Sequence, residues 1–132
     1  MPEFSETSKK NLRQCHTDLQ KLFNEVIKGW DCSVVCGHRG QEEQDLAYES
    51  GKSQVKWPNG KHNKTPSMAA DVVPYIKGVG PSWNLRRVYF FAGYVKAIAE
   101  ELNIQIRCGA DWDMDNDPED QTFHDPAHFE LA

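Results

Sequence analysis

Apolar side chains recur at helical spacing through residues 5 to 28, at Leu12, Cys15, Leu19, Leu22, Phe23 and Val26, and Gly29 follows as a natural stop. That spacing predicts one long helix. A short β-branched run, Cys32–Cys36, reads as a strand, after which Gly37-His38-Arg39-Gly40 turns the chain into a helix over residues 41 to 50. Residues 51 to 68 hold Gly, Lys, Pro, Asn and Ser around a single Trp57 and read as a loop. An extended pattern resumes over residues 69 to 75, and residues 77 to 81 form a turn. The second long helix spans residues 84 to 102, with Leu85, Val88, Tyr89, Ala92, Val95, Ile98, Ala99 and Leu102 as a wide apolar stripe and Asn103 ending it. Residues 104 to 108 and 127 to 131 close the chain as strands. Two long helices, one shorter helix and about four short strands without regular alternation predict an α+β fold with a small, mostly antiparallel sheet. A chain of 132 residues, with neither internal repeats nor a low-complexity linker, is expected to form one domain, residues 1–132.

Composition narrows the classes. Apolar residues make up 39% and aromatics 11%, too many for a disordered chain. No apolar run approaches ~20 residues, so no membrane span is expected. The first residues lack a basic region followed by an apolar stretch, so no secretory signal is expected and synthesis is placed in the cytoplasm. The net charge of −5 argues against a nucleic-acid partner. That charge is uneven: Asp111, Asp113, Asp115, Asp117, Glu119, Asp120 and Asp125 fall in one stretch without Lys or Arg, and the rest of the chain is +2. Cys15, Cys32, Cys36 and Cys108 are expected to be reduced and small buried hydrophobes, since Cys32 and Cys36 on one strand lie ~13 Å apart, beyond disulfide reach. A cysteine zinc site lacks a Cys-x-x-Cys pair.

Three segments carry metal-ligating residue types: His62 to Asp71, Asp125 to His128, and Glu130. A catalytic zinc takes three His or carboxylate ligands and keeps a fourth position open, which His62, Asp71 and His128 can supply if their strands pair. Asp125, in a turn three residues before His128, can point a carboxylate at the site as general acid/base. Each residue also has a plain reading: a turn-capping His62, a surface Asp71, a turn-forming Asp125-Pro126. His38 is an alternative ligand.

The combination of Gly60-Lys-His62, then Ala69-Ala-Asp71-Val-Val-Pro-Tyr75, then Asp125-Pro-Ala-His128-Phe-Glu130-Leu131 resembles the D-Ala-D-Ala carboxypeptidase / L-alanyl-D-glutamate endopeptidase family of zinc peptidases, and within it the short phage endolysins. The likeness runs from Val34 through Gly109-Ala-Asp111-Trp112 to the last residue. It implies the hedgehog/D-Ala-D-Ala peptidase-like fold, zinc on His62, Asp71 and His128, Asp125 as acid/base, and Arg39 as the arginine facing the substrate or the developing oxyanion, its other reading being a structural salt bridge. Gln44 falls where the family has a polar helix residue facing the site. His124 is either a substrate contact or a solvated loop residue, Trp112 a groove wall or core, and Glu130 a partner that orients His128. The segment between His62 and Asp71 encloses eight residues, longer than the commonest family spacing, and Lys64 stands where a strict match has His.

Asp111, Asp113, Asp115 and Asp117 place a carboxylate at every second position, the manner in which loops wrap Ca²⁺. Asn116 replaces the invariant glycine of such loops, and a solvated acidic loop is the other reading. The resemblance implies a monomeric enzyme that acts on bacterial peptidoglycan after release from the host cytoplasm, without a separate wall-binding module. The L-alanyl-D-glutamate bond is the expected target. The alternatives are a D-Ala-D-Ala carboxypeptidase and an inactive zinc-containing binding module.

Overall fold

The computed structural model describes residues 2–132. Helices α1 (Glu6–Arg13) and α2 (Thr17–Gly29) precede strand β1 (Cys32–Cys36) and helix α3 (Gln41–Glu49). Strands β2 (Ala69–Ile76) and β3 (Gly80–Pro81), helix α4 (Leu85–Glu101), and strands β4 (Ile106–Gly109) and β5 (Asp125–Leu131) follow. The sheet runs β1-β2-β5-β4 with β3 beside β2, and every neighbouring pair is antiparallel. The fold is α+β, with helices α2 and α4 on one face of a five-stranded antiparallel sheet.

The helix expected over residues 5 to 28 is two helices. Its interruption is tertiary in origin: His16 N–H donates to the Ser67 carbonyl and Ser67 N–H to the Gln14 carbonyl, both at 2.8 Å, so the backbone at residues 14–16 pairs with a distant loop. The His16 ring then restarts the helix by accepting from Asp18 N–H through Nδ1. The expected turn around Asp125 is likewise corrected, because Asp125 is the first residue of β5 and pairs with Gly109. A Cβ on Gly109 would land on the Asp125 backbone carbonyl, so only glycine lets β4 close against the start of β5.

Leu19, Leu22, Phe23 and Val26 of α2 and Phe91, Ala92 and Val95 of α4 pack on one face of the sheet against Ala70, Val72, Phe129 and Leu131. Phe129 is the hub, meeting Phe23 and Phe91 edge-on at 5.5 and 6.3 Å between ring centres. With Phe129 turned to the core, the period-2 pleat sends His128 and Glu130 to the opposite face. Asp71 pairs directly with His128 in the β2–β5 register and shares that face. Burial of the apolar alternate positions therefore fixes which polar residues meet on the other side. All four cysteines are free, as expected, and among the described residues no helix is long and apolar enough to cross a membrane.

The acidic stretch folds on itself. Asp111, only 4% exposed, accepts from Lys96 Nζ at 3.0 Å and from the Asn116 and Asp115 amides at 2.7 and 3.2 Å. Asp115 and Asp117 accept in turn from the Asp117 and Glu119 amides. The alternation thus supplies side-chain acceptors for successive backbone donors. Oxygens of Asp111, Asp113 and Asp115 lie within 4.8 Å of one another, whereas Asp117 caps the turn Pro118–Asp120. That convergence is the one feature that speaks for calcium, and Lys96 already neutralises its buried member.

Against the cost of burial, Lys96 and the Asn116 amide hold the Asp111 carboxyl down at about 2. Its stabilising contribution is therefore complete above about pH 4 and fades as pH falls through 4 towards 2. Asp111→Ala is expected to cost about 1–3 kcal/mol, read as a lower urea midpoint at neutral pH that converges on wild type near pH 2.

Candidate metal centre

Three elements deliver the ligand-type residues. His62 sits on the turn Lys61–Asn63, Asp71 on β2 and His128 on β5. The long segment between His62 and Asp71 is held by Ser67, whose hydroxyl donates to the Gly37 and Ala69 carbonyls at 3.1 and 2.6 Å. Asp71 Oδ1 lies 3.1 Å from His62 Nε2 and 3.3 Å from His128 Nδ1 and so joins two clusters of ligand-type atoms within 4.8 Å of one another, Cys36 with His62 and Asp71, and Asp71 with Asp125 and His128. His38 is not part of this group; its backbone amide donates to Gln14 on the far side of the turn.

The opposite nitrogen of each ring is already committed. His62 Nδ1 lies 2.7 Å from the Gly37 carbonyl, and His128 Nε2 lies 2.9 Å from Glu130 Oε1. Both partners only accept, which assigns the ring proton to those outer nitrogens. In neutral rings the inner nitrogens then present lone pairs to a carboxylate oxygen. Acceptors facing one another in this way call for positive charge between them, supplied by added protons or by a cation. The same demand appears in the acidities. Burial alone would lower His62, yet the Asp71 carboxylate raises it to about 10. His128 is raised by Asp71 and Glu130 against its burial, and Asp71 is held well below the usual carboxylate range by the two rings despite its own burial. Two nitrogens, one carboxylate oxygen and an open side toward the groove match the donor set of a catalytic zinc.

Glu130 orients His128 and is itself fixed from behind by Arg107, at 2.9 Å from Nη2 and 3.3 Å from Nε. Glu130→Gln is expected to weaken metal affinity by about 10- to 100-fold with the fold retained, measured by competition against a chelating indicator.

Asp125 borders the same point, with an oxygen within 4.8 Å of the Asp71 and His128 ligand atoms. Burial, and then the Asp71 charge, push its carboxyl up to about 6. Its side chain makes no hydrogen bond among the described residues, so it is open to the groove of about 600 Å³ that it lines. Arg39 faces that groove too, with Nη2 3.3 Å from Asp71 Oδ2 and Nη1 3.2 Å from Gln44 Oε1. Trp112 forms an apolar wall, stacked on Phe123 and tilted against His128 at 5.4 Å.

Two expected substrate contacts, Gln44 in the groove lining and His124 outside it, are engaged by other residues. Gln44 is 1% exposed and its amide is saturated, accepting from Arg39 and Asn63 and donating to Ser53 and Val55. It braces Arg39 and has no free donor or acceptor for a substrate. His124 turns toward α4, with Nδ1 2.7 Å from Tyr89 Oη, and does not line the groove. Cys36, read from the sequence as a small buried hydrophobe, is half-buried with its sulfur 3.8 Å from both His62 Nδ1 and Arg39 Nη2. The β-bulge between Val34 and Cys36 places it there, and only its position three residues before Arg39 hinted at it.

The chain matches, over residues 2–132, a family described as phage L-alanyl-D-glutamate peptidase. It is 30% identical over 143 residues to the L-alanyl-D-glutamate peptidase of Escherichia phage T5, covering 98% of each chain. Among solved structures, the Serratia marcescens L-Ala D-Glu endopeptidase ChiX is similar with a TM-score of 0.77 at 27% identity, over 98% of this chain and 90% of that one.

Proposed function

The chain belongs to the phage L-alanyl-D-glutamate peptidase family, and on that premise we propose that it is a zinc peptidase that hydrolyses the L-alanyl-D-glutamate bond of bacterial peptidoglycan as an endolysin. The observation that carries this reading is the approach of His62 Nε2 and His128 Nδ1 to the same oxygen, Asp71 Oδ1, each ring anchored through its other nitrogen. The enzyme works as a monomer on the wall.

A bound zinc supplies Lewis acidity toward a carbonyl and toward water. The protein's own groups do the rest. Asp125, raised to about 6, accepts a proton from the attacking water and returns it to the amine nitrogen as the C–N bond breaks. Its acidity suits both halves of that transfer near neutral pH. Arg39, held in place by Gln44, offers its remaining N–H donors to the carbonyl oxygen as negative charge builds there. Trp112 and Phe123 keep one wall of the groove apolar and dry.

Chelation tests the metal assignment. Release of soluble wall fragments is expected to stop when a strong chelator is added, and to return with one equivalent of zinc per chain. Restoration by calcium or magnesium alone would contradict the assignment, because both ions prefer oxygen-rich sites over a His₂Asp set.

A further inference from the structure

The cations that line the groove are not equivalent. Arg39 is paired with Asp71 and Arg107 with Glu130, so each is neutralised by a carboxylate already in use at the metal centre. Lys52 is exposed, and among the described residues it has no hydrogen-bond or ion-pair partner. Lys61 differs from all three. Its ammonium is fixed, donating at 2.7 Å to the Leu131 carbonyl at the end of β5, yet among the described residues no carboxylate lies within salt-bridge distance. The side chain is partly buried and lines the groove, and the next residue is His62. An ammonium has three donors and Leu131 takes one, so a partly buried, positioned positive charge with free donors stands in the same groove as the metal centre.

Groups of opposite charge gather at the other end. The loop carrying Asp113 and Asp120, which also line the groove, springs from the Gly109–Asp125 end of β4 and β5, whereas Lys61 sits at the Leu131 end. The groove therefore carries a gradient of charge along β5, with the metal centre between its ends.

The chemistry of the proposed substrate fits the cationic end. A D-glutamyl residue joined onward through one carboxyl keeps its other carboxyl free, ionised at neutral pH and a few bonds from the scissile nitrogen. We infer that Lys61 binds this free carboxylate and makes the enzyme specific for D-glutamate over its uncharged amide on the leaving side of the bond. The inference rests on the peptidase reading above and adds a subsite to it.

The test compares a peptide containing L-Ala-D-Glu with the same peptide carrying D-glutamine, using the zinc-loaded full chain and its Lys61→Met and Lys61→Arg variants. Wild type is expected to favour the glutamate peptide by about 10- to 100-fold in kcat/KM, the range of a charge-assisted hydrogen bond. Lys61→Met is expected to lose that factor on the glutamate peptide, to change less than about threefold on the glutamine peptide, and to keep its zinc. Lys61→Arg is expected to retain the preference. Equal losses on both peptides, or a wild type that does not discriminate, would overturn the inference while leaving the peptidase reading intact. If wild type cleaves neither peptide the peptidase reading fails, and calorimetry decides the subsite alone. Tighter binding of the glutamate peptide to wild type but not to Lys61→Met would uphold it, and equal binding throughout would overturn it.

Discussion

Asp125→Ala is expected to lower kcat on peptidoglycan by about 10²- to 10⁴-fold, the range for loss of a positioned general acid/base, while the protein still binds one zinc per chain. The reason is positional. Asp125 is the first residue of β5, three before His128, and the sheet holds a carboxylate oxygen within 4.8 Å of the Asp71 and His128 ligand atoms, close enough to reach what they hold. Its carboxylate has no structural hydrogen bond to lose, so alanine is expected to leave folding largely unchanged. Asp125→Asn preserves shape and removes only the ability to take a proton, and is expected to show a loss of the same order. Loss of zinc in either variant would instead make Asp125 a ligand, and full activity would remove it from the mechanism.

His128→Ala is expected to abolish both metal binding and turnover. His128 is connected on every side: Nδ1 faces Asp71, Nε2 is held by Glu130, and the ring packs against Trp112 and lies 5.0 Å from the His62 ring. Removing it deletes one of the three proposed ligands and frees the Trp112 wall at once, so the loss of affinity is expected to exceed the 10- to 100-fold assigned to Glu130→Gln. His62→Ala, on a different element, is expected to give the same phenotype. Elemental analysis of the purified variants is the readout; stoichiometric zinc in both would refute the ligand set. Their apo forms are expected to stay folded, since the core around Phe129 lies on the other face of the sheet.

The parts of this architecture that period and local chemistry control were legible in the sequence. The stripe of α4, the strands β1 and β2, and the shared face of His128 and Glu130 follow from spacing alone. The break between α1 and α2 was not legible, because its cause is a backbone pairing with Ser67 that lies far along the chain. The side chains that meet at the centre could be nominated by type, but their meeting depends on the β2–β5 register, which places Asp71 opposite His128. The pairing of Arg107 with Glu130 depends in the same way on the β4–β5 register. Gln44 and His124 show the reverse limit. Both have the right polarity to touch a substrate, and only the fold shows that one is saturated behind Arg39 and the other turned to Tyr89. The acidic loop looked like a metal site because its alternation suits a cation, but the same alternation equally suits backbone amides, and the structure shows the amides taken.

The central claim, that this metal centre cleaves the bond between L-alanine and D-glutamate, is tested most directly by digesting purified peptidoglycan with the zinc-loaded protein and identifying the new termini by mass spectrometry. The account predicts new amino-terminal D-glutamate on the released stem peptides and no free D-alanine. Free D-alanine, or a digest with no new termini, would contradict it.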